Sequence, residues 1–450
     1  MPRVFIDCTE TFLSGHRSGI QRVVREIVKR TDVLENELGI PFVPVLALGG
    51  HFYPLARFGD LGENRSLRTV LLENAKTLYH RLDRVWKRIR PCRGDGSGEP
   101  SRPQAQAAGH PSVRALIKQK GRNAFLWLAS SRLRLRAGDP LRPEAGDRLL
   151  MPDIFWGTQD PLKAAKNFSD GGGEVLLLVH DLIPLRFPQF CHEGTVYGFK
   201  AALPQALALS RRVFTVSRSV QEDLERYLSE SRPDWPGRVE SVFLGADLPK
   251  RTARVETVRE SFQTWGGDRP FFLMVGSFQP HKGHLIALAA FEKLWREGCL
   301  ASLLMLGRVG GRGEEIVGRI RESSHFGTSL LLVDDANDAE LEFLYERTKG
   351  VIMASFAEGF GLPLVEALNR GVPVVASDLA VFREVAGESP EYFIPGDSDD
   401  LARAVRHLDR RELRTPAASR ASMTWRTWDE AAMNLGRRIL ETEPMREKGG

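Results

Sequence analysis

Two successive series of short apolar segments constrain the fold of this chain more than any other feature. The first series lies at residues 3–7, 41–48, 148–155, 174–180 and 213–217, and the second at 271–276, 303–307, 330–334, 351–355 and 374–377. Stretches with helical spacing alternate with these segments, a pattern typical of parallel strands covered by helices. Because one core seldom serves 450 residues, the sequence predicts an α/β fold of two doubly wound domains that face each other across a cleft.

The two series also define the predicted domain boundaries. We expect a first domain at residues 1–249, with an irregular insertion at about 55–147, and a second domain at 250–424. The strand series ends before residue 425, so we expect residues 425–450 to form a helix that crosses back to the first domain, followed by a tail. Ligands of such sheets bind at the carboxyl ends of the strands. The loops that follow the strands are therefore the predicted location of the functional site.

The insertion is strongly basic. Residues 61–150 contain 19 Lys and Arg against 8 Asp and Glu, whereas the whole chain has a net charge of +5. Within the insertion, residues 67–89 have the spacing of an amphipathic helix, and residues 93–111 have the composition of a flexible linker. Two interpretations remain open: a solvated helix with a linker, or a segment that binds an anionic membrane surface.

Cysteine usage and the N-terminus indicate a reducing compartment. The four cysteines are far apart and form no C-x-x-C pair, so neither a zinc site nor a disulfide framework is predicted. Residues 1–7 run directly into a strand and lack the pattern of a secretion signal. No apolar run approaches the roughly 20 residues of a membrane-spanning helix. We expect a cytoplasmic protein, peripheral on the inner membrane face if the basic insertion binds there.

Two glutamates frame the segment with the strongest chemical signal. Residues 358–366 read EGFGLPLVE, directly after a predicted strand and at the start of a predicted helix. Glu358 then lies in a loop and Glu366 lies further along the helix, so both carboxylates can face one elongated, hydroxyl-rich ligand. Unpaired backbone amides at a helix start favour anions or polar oxygens. Here they belong to Gly359, Phe360, Gly361 and Leu362.

The alternative is that both glutamates have only structural roles in a surface helix. On an arbitrary surface helix, a glutamate such as Glu358 would cap the helix and one such as Glu366 would be solvated. The flanking glycines, which allow close backbone approach, favour the ligand site instead.

The segment resembles the signature of the retaining glycosyltransferases of family four, whose two-domain architecture is called GT-B: a glutamate, seven residues and a second glutamate. The resemblance extends to GVPVVAS, EVAG and FFLMVGS elsewhere in the second domain and covers essentially all of residues 270–400. It implies two facing Rossmann-like domains, with the nucleotide sugar bound by the second. It also implies that Glu358 contacts the donor sugar and that Glu366 holds the nucleotide ribose.

The resemblance further implies a basic pair that clamps the donor diphosphate after the first strand of the second domain. Lys282 matches this pair, with Gly276 and Ser277 at the end of the strand. The other member is commonly arginine, but His281 stands here, and a neutral imidazole carries no fixed charge. Arg308, after the next strand, is our candidate to compensate. Considered alone, Lys282 would be an ordinary exposed lysine.

Three residues of the first domain complete the predicted site. His180 and Asp181 end the most apolar strand, where polar groups are costly unless they are used or satisfied. A lone histidine there would usually be structural. The resemblance implies that His180 approaches the donor sugar across the cleft, and we expect Asp181 to orient His180 or the acceptor. It also implies that Gly19, at a helix start, faces the donor phosphates.

The reaction implied is the transfer of a hexosyl unit from a nucleoside diphosphate sugar to an acceptor hydroxyl, with retention at the anomeric carbon. His180, Glu358 and Lys282 are the predicted catalytic residues. Preorganised positive charge would stabilise the leaving diphosphate in place of a divalent cation, so we expect neither a metal nor a cofactor. Asp397 and Asp399 imitate a metal motif, but they precede a helix that they would cap.

The resemblance also implies the partners. Bacterial mannosyl- and rhamnosyl-transferase-like enzymes of this kind assemble surface polysaccharides, so the expected acceptor is a glycan or a polyprenyl diphosphate-linked glycan. GDP-mannose is the preferred donor. A dTDP-rhamnose or UDP-sugar donor, a nucleotide-sugar 2-epimerase and a degenerate, scaffold-like relative remain alternatives. A nucleic-acid-binding protein is a further alternative, suggested by the pI of about 9.0 and the arginines of residues 132–136, but no aromatic platform accompanies them.

Overall fold

The computed structural model describes residues 1–14, 18–58, 138–158, 160–247, 258–260, 262, 265, 269–410 and 425–441. Most of the basic insertion, the predicted linker at 93–111 and the arginines of 132–136 lie outside these residues, as does the predicted boundary near residue 249. None of the helices in the described ranges is long and apolar enough to cross a membrane.

The first sheet has seven strands in the order β3-β2-β1-β4-β5-β6-β7. The strands are β1 Val4–Asp7, β2 Phe42–Leu48, β3 His51–Pro54, β4 Arg148–Met151, β5 Glu174–Val179, β6 Ser210–Thr215 and β7 Arg238–Ser241. All neighbours are parallel except the β2–β3 hairpin. Residues 175–179 of β5 are buried, as expected for a central strand with both faces covered. The order changes direction between β1 and β4, where such sheets bind ligands.

The second sheet has six parallel strands in the order β10-β9-β8-β11-β12-β13. The strands are β8 Phe271–Val275, β9 Ser302–Leu306, β10 Leu330–Val333, β11 Gly350–Met353, β12 Val374–Ser377 and β13 Glu391–Phe393. Here the order changes direction between β8 and β11. The signature glutamates follow β11, and Lys282 follows β8, so the switch point brings them together.

Helices cover both sheets. In the first half of the chain they are Thr9–Ser14, Gly19–Val28, Thr31–Leu38, Asp160–Asp170, Ile183–Arg186, Glu193–Leu209 and Arg218–Ser231. In the second half they are His284–Arg296, Gly313–Glu322, Asp338–Arg347, Leu362–Asn369, Ala380–Ala386, Ser398–Arg410 and Trp428–Leu440. Several begin with the side-chain caps that sequence favours: Asn337 and Thr427 each form a capping box.

The last helix, Trp428–Leu440, packs on the first domain. Its side chains Trp428, Leu435 and Ile439 join the core of the first sheet. The buried guanidinium of Arg212, on β6, donates to the carbonyl oxygens of Arg438 and Glu441 at 2.6 and 2.9 Å. These bonds satisfy carbonyls that a helix end leaves unpaired. The last helix is therefore attached to the first domain, although it follows the second domain in the sequence.

Candidate active site

The two signature glutamates are positioned by the loop after β11 and by the helix Leu362–Asn369 that follows it. The helix begins after Gly361, which has a φ of 95°, and a Cβ atom there would lie 2.6 Å from the ring of Phe382. Only glycine suits both the left-handed backbone and this contact. Pro363 occupies the first turn, where its missing N–H is tolerated.

Glu358 lies in an ion pair within the second domain. Its Oε1 atom is 2.7 Å from the Lys282 ammonium and accepts a hydrogen bond of 2.8 Å from the Ser355 hydroxyl. The Glu358 side chain is 9% exposed and that of Lys282 is 22% exposed, so the pair is open to the cleft on the lysine side. An ammonium has three donors, and Lys282 uses one of them on Glu358.

A tight turn brings Lys282 to this position. Residues Pro280–Lys282 form a single 3₁₀ turn that ends at Gly283, whose φ is 72°. A Cβ atom on Gly283 would lie 1.9 Å from the carbonyl oxygen of Ala354. The glycine therefore lets the turn after β8 pack against the chain leaving β11, which is how the lysine meets Glu358.

His281 does not supply a second cation. The residue is 8% exposed, and its carbonyl accepts a bond of 2.7 Å from the Phe356 amide. Among the residues that the structure describes, none is a hydrogen-bond partner of its Nδ1 atom. Burial, aided by the nearby Lys282 charge, lowers the pKa of His281 to about 3. The imidazole is therefore neutral at physiological pH, which agrees with the expectation that it departs from the usual basic pair.

Glu366 is buried between the domains, with its side chain 1% exposed. Its Oε1 atom is paired with the guanidinium of Arg22 from the first domain, and its Oε2 atom accepts a hydrogen bond of 3.1 Å from the Tyr345 hydroxyl. Burial raises the pKa of Glu366, and the Arg22 charge opposes that rise. The sequence interpretation placed Glu366 on the donor but did not foresee either partner.

His180 directly follows β5, and its carbonyl oxygen lies against Gly359 of the second domain. Its Nε2 atom is 2.7 Å from the carbonyl oxygen of Pro152. Because a carbonyl only accepts, Nε2 must carry the proton and Nδ1 is left as an acceptor. Burial lowers the pKa of His180 to about 4, so the ring is neutral at physiological pH. The Pro152 carbonyl therefore orients His180.

Asp181 is hydrogen-bonded to the backbone of the loop that follows β5. Its Oδ1 atom accepts a hydrogen bond of 3.0 Å from the Ile183 amide. Burial raises the pKa of Asp181 to about 6; the Lys282 charge lowers it and the Glu358 charge raises it further. The carboxyl group is thus electrostatically coupled to the ion pair across the cleft. Its bond is with the backbone, so the orienting role toward His180 that we expected falls to Pro152.

Several contacts join the two domains around these residues. A Cβ atom on Gly359 would lie 1.9 Å from the carbonyl oxygen of His180, and the Ser217 hydroxyl donates to the Gly359 carbonyl at 2.7 Å. The rings of Phe190 and Phe356 lie 5.2 Å apart. These contacts bring His180, Asp181, Lys282 and Glu358 into one cluster.

The acid Glu384 makes a further contact between the domains. Its carboxylate accepts hydrogen bonds of 2.7 and 2.8 Å from the amides of Arg218 and Ser219, in the first turn of helix Arg218–Ser231. An anion is favoured at a helix amino terminus. The second domain therefore caps a helix of the first.

Other predicted donor-binding residues have different surroundings. Gly19 is exposed at the start of helix Gly19–Val28, and Arg308 is exposed after β9. Gly276 lies so close to Gly307 that a Cβ atom on Gly307 would be 1.8 Å from the Gly276 carbonyl oxygen. The side chain of Leu362 is buried in the core of the first domain. The side chains of Phe360 and Ser277 are half-buried.

A second pair of buried acids was missed by the sequence interpretation. Asp7 ends β1 and Asp153 follows β4, at the switch point of the first sheet. Asp153 accepts bonds of 2.6 and 2.8 Å from the amides of Thr11 and Ile154. Burial raises the pKa of Asp7 to about 6 and that of Asp153 to about 7. The Glu10 charge adds to the rise at Asp7, and the Asp7 charge adds to the rise at Asp153. The sequence feature that could have indicated these buried acids is an aspartate at or just after the end of an apolar strand.

The acidic residues and histidines of the described chain do not form a metal-ligand cluster. Within the residues that the structure describes, no group of three or more His, Cys, Asp or Glu side chains is placed to hold a metal ion. Asp397 is one of the two aspartates whose spacing imitates a metal-binding motif. It accepts hydrogen bonds from the amides of Asp399 and Asp400 at 2.9 and 3.0 Å. It therefore caps helix Ser398–Arg410, as expected.

Comparison with known proteins agrees with this geometry. Residues 258–422 match the family model of glycosyl transferases group 1. The chain is 33% identical over 291 residues to the serotype-specific mannosyltransferase WbdA of Escherichia coli, a match that covers 63% of this chain and 35% of that protein. It is 25% identical over 228 residues to the O-antigen chain mannosyltransferase B of Escherichia coli, covering 50% of this chain and 58% of that protein. The matched region thus spans about a third of WbdA.

Solved structures share the fold over nearly the whole chain. Anabaena HepE in complex with UDP and glucose has a TM-score of 0.52 at 15% identity, covering 98% of this chain and 95% of that one. Sucrose-phosphate synthase from Thermosynechococcus elongatus has a TM-score of 0.54 at 16% identity, covering 98% and 94%.

Two Rossmann-like sheets, with paired glutamates after a strand of the second, define a GT-B fold, as the sequence predicted. Residues 258–422 match the model of the glycosyl transferases group 1 family, which confirms the resemblance carried by the signature.

Proposed function

We propose that this protein transfers a hexosyl unit from a nucleoside diphosphate sugar to a hydroxyl of a glycan or lipid-linked glycan, with retention of anomeric configuration and without a metal ion. The observation that carries the proposal is the cluster formed by the Lys282–Glu358 ion pair of the second domain and the end of β5 at His180 in the first. The close contact of Gly359 with the His180 carbonyl oxygen joins the two parts. Mannose, carried by GDP, is the preferred sugar, because two relatives matched over 291 and 228 residues are named as mannosyltransferases.

Lys282 would stabilise the leaving group. In the transfer, the bond between the anomeric carbon and the phosphate oxygen breaks, and the nucleoside diphosphate keeps the electron pair. Within the described part of the chain, the Lys282 ammonium donates a hydrogen bond to Glu358 alone. Its other two donors can therefore bind phosphate oxygens while the ion pair with Glu358 is kept. The exposed Arg308 is a second candidate for this charge.

Glu358 and His180 would hold the sugar from opposite sides of the cleft. The negative Glu358 carboxylate favours the positive charge that develops on the sugar ring as the leaving group departs. The neutral His180 can accept a hydrogen bond from a sugar hydroxyl through Nδ1, but its pKa of about 4 makes it a poor proton donor at neutral pH. The acceptor proton would pass to a phosphate oxygen on the same face of the sugar, and the acceptor oxygen forms the new bond to the anomeric carbon.

The acceptor would approach along the first domain. Asp181 lies beside the cluster with a pKa near 6, so it is mostly ionised at neutral pH and can accept a hydrogen bond from the acceptor hydroxyl. A surface polysaccharide precursor fits this proposal, because one matched protein is named an O-antigen chain mannosyltransferase.

A binding and product experiment tests the proposal. GDP-mannose, dTDP-rhamnose and UDP-glucose are screened by the shift that each causes in melting temperature, since a ligand that binds only the folded state raises it. The best donor is then incubated with and without a polyprenyl diphosphate-linked glycan. Sugar transferred only with acceptor supports the proposal, whereas an isomerised nucleotide sugar without acceptor identifies an epimerase. The absence of binding by any nucleotide sugar argues against both.

A further inference from the structure

Glu366 has no room for a ligand while its present partners are in place. Its side chain is 1% exposed, Arg22 holds one carboxylate oxygen and the Tyr345 hydroxyl holds the other. A ribose hydroxyl must come within about 3 Å of a carboxylate oxygen to form a hydrogen bond. One of the two partners must therefore move before Glu366 can hold a ribose.

Arg22 is the partner that can move. Tyr345 is 1% exposed, lies in the core of the second domain and packs under the guanidinium of Arg370 at 5.1 Å. Arg22 comes from the other domain on a long side chain that is 26% exposed. Moving Tyr345 would open the core, whereas Arg22 can leave by rotation of its own side chain or by separation of the domains.

The residue beside Lys282 does not supply a second fixed cation. The expected partner of Lys282 is His281, which is buried and neutral. Arg22 lies one turn into helix Gly19–Val28, close to the helix amino terminus that favours phosphates. A guanidinium can bind two phosphate oxygens at once, which an imidazole cannot.

We propose that Arg22 exchanges partners during donor binding, pairing with Glu366 when the site is empty and with the donor diphosphate when it is occupied. The ribose then takes the place of Arg22 on Glu366. This inference rests on the proposed function, because it requires a nucleotide sugar in the cleft. It makes Arg22 a donor-binding residue of the first domain and assigns the Arg22–Glu366 pair to the empty enzyme.

The exchange has a signature that a structural role for Arg22 would lack. Arg22 competes with the ribose for Glu366, but it assists the diphosphate. Its replacement by glutamine should therefore strengthen the binding of a free nucleoside and weaken the binding of the corresponding nucleoside diphosphate. A general loosening of the fold would weaken both ligands alike.

The full-length protein and its Arg22→Gln and Arg22→Lys variants are titrated calorimetrically with GDP, UDP and dTDP. For each diphosphate that binds, the affinity of its free nucleoside is measured by competition. We expect Arg22→Gln to lower the ratio of diphosphate to nucleoside affinity by about tenfold to a hundredfold, as for the loss of a hydrogen-bonded charge. Arg22→Lys keeps the charge but not the fork, so it should lower the ratio less.

The control is Lys29→Gln, which removes a cation from just past the end of the same helix, where the side chain is 46% exposed and pairs with Glu26. We expect no change in either affinity. A ratio that is unchanged or higher in Arg22→Gln overturns the exchange, even if the protein remains a transferase. If the unmodified protein binds no nucleoside diphosphate, the proposed function itself fails. Arg22→Lys carries the test if Arg22→Gln does not fold.

Discussion

Gly359 packs against the carbonyl oxygen of His180 so closely that a Cβ atom at position 359 would lie 1.9 Å from it. The contact joins the signature loop of the second domain to the end of β5 in the first. The Gly359 carbonyl also accepts a hydrogen bond from Ser217. The glycine therefore sets how closely Glu358 and His180 approach each other.

We predict that Gly359→Ala greatly reduces transfer while leaving each domain folded. The added methyl group must push the His180 carbonyl and the signature loop apart, and a displacement of about 1 Å at a catalytic site can cost about a hundredfold in rate. Turnover of donor and circular dichroism, measured on the same preparation, check this.

Gly318→Ala is the matched control for that substitution. Gly318 lies within helix Gly313–Glu322, and a Cβ atom there meets nothing within 4 Å. Alanine is favoured over glycine in helices by about 1 kcal/mol. The control should keep full activity and melt at the same or a higher temperature. Equal activity of the two variants would contradict the role assigned to Gly359.

Asp153 makes stability depend on pH with a defined sign. Its pKa is about 7 in the folded protein and near 3.8 when exposed. Between these values the folded state binds more protons than the unfolded state, so the contribution of Asp153 to stability falls as pH rises. The contribution falls by roughly 1 kcal/mol per pH unit between pH 5 and 7.

We predict that Asp153→Asn removes this dependence. Relative to the unmodified protein, the free energy of unfolding of the variant should rise from pH 5 to pH 7, whatever the cost of the amide itself. Urea unfolding at several pH values measures the difference. The exposed Asp32→Asn is the control and should show a constant offset. A constant offset for Asp153→Asn as well would show that Asp153 titrates as an exposed acid.

Arg212 should be among the most important single side chains for the stability of the first domain. It donates to the carbonyls that end helix Trp428–Leu440. Arg212→Met would leave those carbonyls unpaired and should cost roughly 3 kcal/mol. The exposed neighbour Arg211 offers the control Arg211→Met, for which we expect less than about 0.5 kcal/mol. Comparable losses in the two variants would contradict the capping role.

Binding of the basic insertion to an anionic membrane surface remains a prediction. A deletion should span residues 61–137 and spare β4, Arg148–Met151, because that strand lies between β1 and β5. We predict that the full chain sediments with anionic vesicles at low salt and that the deletion variant does not. Neutral vesicles are the control. Binding that survives the deletion would remove the membrane role from this segment.

The sequence was sufficient for the architecture and for the second-domain half of the site. The alternation of apolar strands and helices predicted ten of the thirteen strands of the described residues and missed the short strands β3, β7 and β13. Local spacing placed Glu358 and Lys282 after neighbouring strands. Such features depend on a few adjacent residues, which is why they can be deduced without coordinates.

Contacts between the domains could not be predicted in the same way. Arg22 and Glu366 are 344 residues apart, and no local pattern indicates that they meet. The bond from His180 to Pro152 likewise depends on the neighbouring strands β4 and β5 ending side by side. Asp7 and Asp153 did carry a local signal, since charged residues at the ends of apolar strands are costly when buried.

The central claim is that the cluster of Glu358, Lys282 and His180 transfers a sugar with retention and without a metal. The most direct measurement is proton NMR of the sugar released slowly by water from GDP-mannose, whose anomeric carbon is in the α configuration, in the presence of EDTA. We predict that α-mannose appears first, at a rate that EDTA does not change, and that Glu358→Gln abolishes its release while Gly318→Ala does not. Initial release of β-mannose, loss of activity in EDTA or full activity of Glu358→Gln would contradict the account.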